Sequence, residues 1–267
     1  MKQPLSPSLY RAFARLAHEQ TGIQLASGKE ELVAARVTKR MRALRLQSFA
    51  EYRDYLARTP EELEHFVNAI TTNLTRFFRE EEHFEVLAQA LRPLANKRVR
   101  IWCAAASTGQ EVWTLAMTAA EAMGGGDWRI LATDIDTRVL KTAHEGWYSA
   151  RDCGGLPVQL RDKYMKRRDG GWAFNETLRH RVHFARVNLA APPYPMKGPL
   201  DVVFCRNVMI YFDRPVRAGI VRQCERLLRP GGLLFLGHSE SLNGIETRLR
   251  RDSPAVYRMA ELARRAA

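Results

Sequence analysis

The sequence lacks any apolar run near the ~20 residues that a bilayer-crossing helix requires, so no membrane insertion is expected. Its opening stretch, MKQPLSPSLYRAFARL, has no apolar core followed by small cleavage-site residues, which argues against an export signal and for a cytoplasmic protein. Cysteine is scarce. The four, Cys103, Cys153, Cys205 and Cys224, show no C-x-x-C spacing, and two lie in apolar runs where cysteine behaves as a small buried hydrophobe. The seven histidines do not gather with cysteines or carboxylates at ligand spacings, so neither a disulfide framework nor a metal site is expected. Acids are in short supply as well: 29 Asp plus Glu face 42 Lys plus Arg, a net charge of +13. Such a surplus attracts nucleic acid, anionic membrane or an acidic protein surface, without choosing among them.

What is present falls into two parts. Residues 1–75 read as an all-helical unit. Ser6-Pro7 supplies a cap and a first-turn proline, Leu9, Phe13, Leu16 and Ala17 recur at helical spacing, and Gly22 ends the segment. A second helix over 29–45 carries Leu32, Val33, Val37, Met41 and Leu44 on its apolar side. Ser48-x-x-Glu51 and Thr59-Pro60-x-Glu62 read as capping boxes that open two more helices. A linker and connecting helix span 76–98.

From about Val99 the pattern changes to short apolar runs alternating with helical stretches, which predicts a parallel sheet covered on both faces over 99–267. The runs are VRIWCAA, WRILATDID, LDVVFCRN and GGLLFLGHS. The helices lie near 110–122, 137–144 and 215–228. Residues 150–190 fit neither pattern; Asp169-Gly170-Gly171 between YMKRR and WAFNE predicts a small antiparallel insertion.

Ligands of open parallel sheets bind beyond the carboxyl ends of the strands. The turn after the first run, Ala104 to Glu111, is neither G-x-G-x-x-G nor G-x-x-x-x-G-K-[ST], so no phosphate loop is indicated. It carries an acid, Glu111, which suits a ligand with a positive centre and hydroxyl groups. S-adenosylmethionine has both. After the second run Asp134 stands where α/β nucleoside binders place an acid on the ribose, while Asp136 reads as the cap of the next helix.

The run Asn73 to Glu80, then WCAAASTG, ATDIDTRVL, FCRNVMIYFD and PGGLLFLGHSE, resembles the CheR-type chemotaxis receptor methyltransferases along nearly the whole chain. The resemblance implies an α/β fold: a class I S-adenosylmethionine-dependent methyltransferase (Rossmann-like) domain with a small antiparallel β insertion, preceded by an all-helical N-terminal domain. It implies protein-glutamate O-methyltransferase activity toward the cytoplasmic helices of methyl-accepting chemotaxis receptors, with S-adenosylhomocysteine as product. By motif, the family's cofactor contacts fall on Asn73, Thr75, Arg79, Glu111, Asp134, Asn188, Leu189, Arg206 and Asn207. Arg79 and Tyr211 are the candidates for orienting the methionine end or the incoming carboxylate. Arg36, Lys39 and Arg40, on the basic face of the second helix, are the candidates for the receptor. Two departures stand out. Gln110-Glu111-Val112-Trp113 replaces the family's Glu-Glu-Pro-Tyr, and the hairpin at Asp169-Gly170-Gly171 is short for docking a receptor C-terminal peptide.

Other classes fit less well. Ala191-Pro192-Pro193-Tyr194 imitates the base-clamping motif of amino-methylating nucleic-acid enzymes but precedes the LDVVFC strand instead of following it, so nucleic acid is not expected as a partner. Gly237-His238-Ser239-Glu240-Ser241 lacks the last glycine of a hydrolase elbow, and no Asp-then-His order follows. A non-catalytic cofactor sensor is the remaining alternative, kept open by the Gln110–Trp113 departure.

Overall fold

A central strand of this protein has no solvent face. In β1 (Val99–Ala104), Ile101 and Cys103 point into one apolar cluster while Trp102 and Ala104 point into another, so beyond Arg100 the strand reads as an unbroken apolar run. The computed structural model describes residues 4–261; residues 1–3 and 262–267, at the ends of the two predicted units, lie outside the described residues.

Four helices come first: α1 (Pro7–Thr21), α2 (Glu30–Leu44), α3 (Phe49–Arg58) and α4 (Pro60–Ile70). Ser6 Oγ accepts the Leu9 N–H to open α1, and Gly22, at φ 72°, closes it by donating to His18 O. Ser48 caps α3 as its motif requires, and Glu51 reaches back to the Gln47 N–H. Thr59 makes no such bond at α4. The physical reason is that Glu62, the residue that should reach back, turns inward: Arg40 donates to it twice, at 2.8 and 2.7 Å, and the Tyr52 hydroxyl donates at 2.9 Å. Phe13, Val33, Val37, Tyr52 and Phe66 fill the core around this group, whereas Leu32 stays exposed.

The remaining elements are α5 (Glu82–Leu91), α6 (Gln110–Met123), β2 (Trp128–Asp134), α7 (Thr137–Glu145), β3 (Trp147–Ser149), α8 (Val158–Tyr164), β4 (Met165–Arg168), β5 (Gly171–Phe174), α9 (Glu176–Arg179), β6 (Val182–Arg186), β7 (Leu200–Cys205), α10 (Arg214–Leu227), β8 (Leu228–Phe235), β9 (Leu249–Ser253) and β10 (Val256–Met259). The main sheet runs β6-β2-β1-β7-β8-β10-β9, parallel through β8, with β10 and β9 antiparallel beyond it. A second sheet, β3-β5-β4, is antiparallel and turns at Asp169-Gly170, both with positive φ. It starts before residue 150, and β6, which falls inside the 150–190 stretch, belongs to the main sheet instead. No described helix is long and apolar enough to cross a membrane.

β1 and β7 run parallel, but the connections lead outward from β1 to β2 and β6 on one side and from β7 to β8 on the other; this switch point opens a crevice at their carboxyl ends. The helical unit is fastened over that crevice at two places. Ile23 pairs with Phe212, the Gln24 N–H donates to Tyr211 O at 2.8 Å, and Asn188 Nδ2 donates to Gln20 O at 2.8 Å. On the other side Thr71 and Asn73 both donate to Asp136 Oδ2, at 2.7 and 3.0 Å.

Candidate functional site

Between the two fastenings lies a cavity of about 570 Å3, within the range of small-molecule sites. Its walls come from the α1–α2 connection, the segment after α4, and the loops after β1, β2, β6 and β7. Among the described residues, five of the eight non-glycine positions with positive φ sit on it or beside it: Ala105, Ser107 and Asn207 on the lining, Phe78 and Glu80 behind. Each such conformation costs on the order of 1 kcal/mol and persists only where neighbours enforce it.

Asp134 ends β2 and is buried. Its carboxylate accepts the Ser107 N–H at 2.8 Å and the Asp136 N–H at 2.9 Å, so one side chain shapes two loops of the cavity. Burial pushes its carboxyl above the usual range, and those N–H groups act in the opposite direction. Asp136 has the different task read for it: it caps α7 by accepting from the Arg138 and Val139 N–H groups.

Arg206, buried just after β7, is the hub of the cavity floor. It donates to Glu111 at 2.9 Å, to Glu80 at 2.8 Å and to Arg79 O at 2.6 Å. One guanidinium serves two acids unequally. Burial pushes both carboxyls up, but Arg206, Asn207 and His238 together hold Glu80 below its ordinary value, while Glu111 stays above it. Glu240, the buried acid of the GHSES motif, takes no part in hydrolase chemistry; it accepts the N–H groups of Asn207, Gly237 and Ile210 and so fixes the loop after β7. Glu80, His83 and His238 converge within 4.8 Å, which the spacing of histidines in the sequence does not anticipate. Arg206 already occupies that Glu80 carboxylate, and burial, then Arg206, pushes His83 down to about 4.

All nine residues expected to contact the cofactor line the cavity: Asn73, Thr75, Arg79, Glu111, Asp134, Asn188, Leu189, Arg206 and Asn207. Tyr211 and Arg36 line it too, and Arg36 donates to Ile70 O at 2.5 Å. Lys39 is exposed on α2 away from the lining. Arg40 is also away from it, committed to Glu62. Arg40→Ala is therefore expected to lower stability by about 2 kcal/mol, the scale of a charged hydrogen bond to a buried group, measured by urea unfolding, with cofactor affinity kept. Of Gln110-Glu111-Val112-Trp113, only Glu111 reaches the lining; Trp113 stacks on Phe174 of the small sheet at 4.6 Å, so the departure lies outside the cavity. Tyr194 of the Pro-Pro-Tyr loop packs edge-on against Trp102 and is likewise outside it. Ser107 and Thr71 were not anticipated; their signal was the small-residue turn and the end of α4.

The charged lining is zoned. The acids Glu111 and Asp134 are buried, with Arg206 beside them; the remaining ionised groups, Lys29, Arg36 and Arg79, are basic and at least partly exposed.

Residues 73–256 match the family model described as CheR methyltransferase, SAM binding domain, and residues 8–71 match the CheR methyltransferase, all-alpha domain. The chain is 45% identical over 245 residues to chemotaxis protein methyltransferase 2 of Pseudomonas aeruginosa, covering 89% of this chain and 88% of the relative. It is 39% identical over 265 residues to the chemotaxis protein methyltransferase of Escherichia coli, covering 96% and 92%.

Proposed function

Since this chain belongs to the CheR family of S-adenosylmethionine-dependent protein-glutamate O-methyltransferases, we propose that its cavity esterifies glutamate side chains on the cytoplasmic helices of methyl-accepting chemotaxis receptors, in sensory adaptation. The observation that carries this reading is the zoning of charge. Buried acids on the floor suit a cationic cofactor, and a basic outer wall suits an anionic acceptor. Bound S-adenosylmethionine supplies an electrophilic methyl group on a sulfonium. Asp134 and Glu111 are the acids that would hold its hydroxyl and cationic parts, with Asn73, Thr75, Asn188, Leu189, Arg206 and Asn207 around them.

The rest of the work belongs to the protein. A glutamate carboxylate is already ionised at neutral pH, so no general base is needed. Arg36 and Arg79 keep the incoming carboxylate charged, and Tyr211, beside Arg36 on the lining, offers a hydroxyl to orient it. The helical unit closes over the crevice and excludes water, leaving alignment as the main source of rate. The acceptor helices lie in the cytoplasm, and the enzyme acts there.

Purified protein incubated with methyl-labelled S-adenosylmethionine and receptor-containing membranes is expected to yield label that alkali releases as methanol. Label stable to alkali, or label in RNA, would overturn the acceptor assignment.

A further inference from the structure

Five large apolar side chains stand exposed among the described residues, and three of them line this one cavity: Leu32 at 40%, Leu74 at 80% and Ile210 at 53%. They come from three separate elements: α2, the segment after α4, and the loop after β7. Apolar groups left in water singly are ordinary; three exposed on the wall of one charged cavity mark a contact surface.

Leu74, the most exposed, is presented by an anchored backbone. Arg79 Nη1 donates to Leu74 O at 2.9 Å. On the preceding residue, the Asn73 carbonyl accepts from Ser107 Oγ at 3.2 Å and the Asn73 amide donates to Asp136. Ile210 is held similarly, its N–H on the buried Glu240 at 3.3 Å. Both side chains are therefore aimed outward by buried or ionised partners.

We propose that Leu32, Leu74 and Ile210 form an apolar clamp that seats one amphipathic, acidic helix by the apolar residues flanking its acceptor glutamate. This rests on the function proposed above. The charge beside the clamp selects the occupant: Lys29, Arg36 and Arg79 are basic, and no exposed acid lines the cavity. On a helix, residues three and four positions either side of a glutamate share its face. An apolar helix face laid on the clamp thus points that glutamate into the cavity, while its acidic flanks meet the basic groups. The site then reads the neighbours of the carboxylate as well as the carboxylate.

The test uses the full chain with Leu74→Ser, Ile210→Ser and the conservative Leu74→Met. Each serine variant is expected to lose about tenfold in kcat/KM on receptor membranes, through KM, as follows from uncovering most of one leucine-sized contact. Affinity for S-adenosylhomocysteine by calorimetry and the melting temperature should stay at wild-type values, and Leu74→Met should recover most of the loss. Wild-type kcat/KM in both serine variants would overturn the clamp. So would an equal loss of cofactor affinity, which would make these residues part of the cofactor's wall. Failure of the underlying reading is seen separately, as the absence of alkali-labile label with the wild-type enzyme.

Discussion

Replacing Arg206 by methionine is expected to lower stability by about 3–5 kcal/mol at neutral pH and to remove measurable cofactor binding. The replacement leaves Glu80 and Glu111 facing each other's field without their shared cation. The pH dependence follows from the two acids. Glu80 titrates below its ordinary value in the folded protein, so its contribution is present above the unfolded carboxylate range and is lost as pH falls through its folded value. Glu111 titrates above its ordinary value, so it favours the fold when protonated and that contribution is lost as pH rises. Without Arg206 both acids shift upward and both favour the protonated state. The deficit of Arg206→Met should therefore shrink between pH 7.5 and pH 5, and the added change Glu111→Gln should recover part of it at pH 7.5. Urea unfolding at the two pH values checks this. An equal deficit at both would assign the loss to packing over Phe84 and Phe204, whose rings lie 5.5 and 5.7 Å from the guanidinium carbon.

Asp134→Asn should weaken S-adenosylhomocysteine binding by about 30- to 100-fold, the equivalent of about 2–3 kcal/mol for a hydrogen bond to a charged group. The side chain keeps its size but not its chemistry. Two backbone N–H groups, of Ser107 and Asp136, point at the two carboxylate oxygens, and an amide opposes one of them with its own N–H. The loop after β1 then loses the bond that holds Ser107 in its left-handed conformation. Asp136→Asn is the informative comparison. Asp136 caps α7 and receives Thr71, Asn73 and Arg138, so its replacement should act first on stability and on the fastening of the helical unit. Calorimetry with S-adenosylhomocysteine beside urea unfolding separates the two. Equal cofactor affinity in Asp134→Asn and the wild type would remove Asp134 from the site.

Helix caps and predominantly apolar strands were legible because each is written in neighbouring residues. Ser6-Pro7, Ser48-x-x-Glu51, VRIWCA and LDVVFC announce their elements locally. β6 was not legible: VHFAR is an edge strand, buried at Val182 and open at several positions, so its pattern resembles a loop. β9, LRRDS, hides for the same reason, with arginines where a central strand carries valine; β10, VYRM, lies inside the sheet but is only four residues long and interrupted by Arg258. Thr59 misleads because capping competes with a tertiary partner, and Arg40 wins Glu62. The acids Glu111 and Asp134 could be found from their place after a strand. That Arg206 joins Glu111 to Glu80 could not, since residues 95 and 126 positions apart meet only in the folded sheet.

The strand order also governs how the protein is made. β1 pairs with β2 on one side, but its other edge waits for β7, about a hundred residues later, on the order of ten seconds of ribosomal synthesis. Through that interval a strand apolar at every position but Arg100 offers an open edge to any passing chain. The cofactor gives no help then, because Arg206 and the loop after it, which complete the cavity, emerge later still. S-adenosylmethionine thus stabilises the finished protein and not the half-made one.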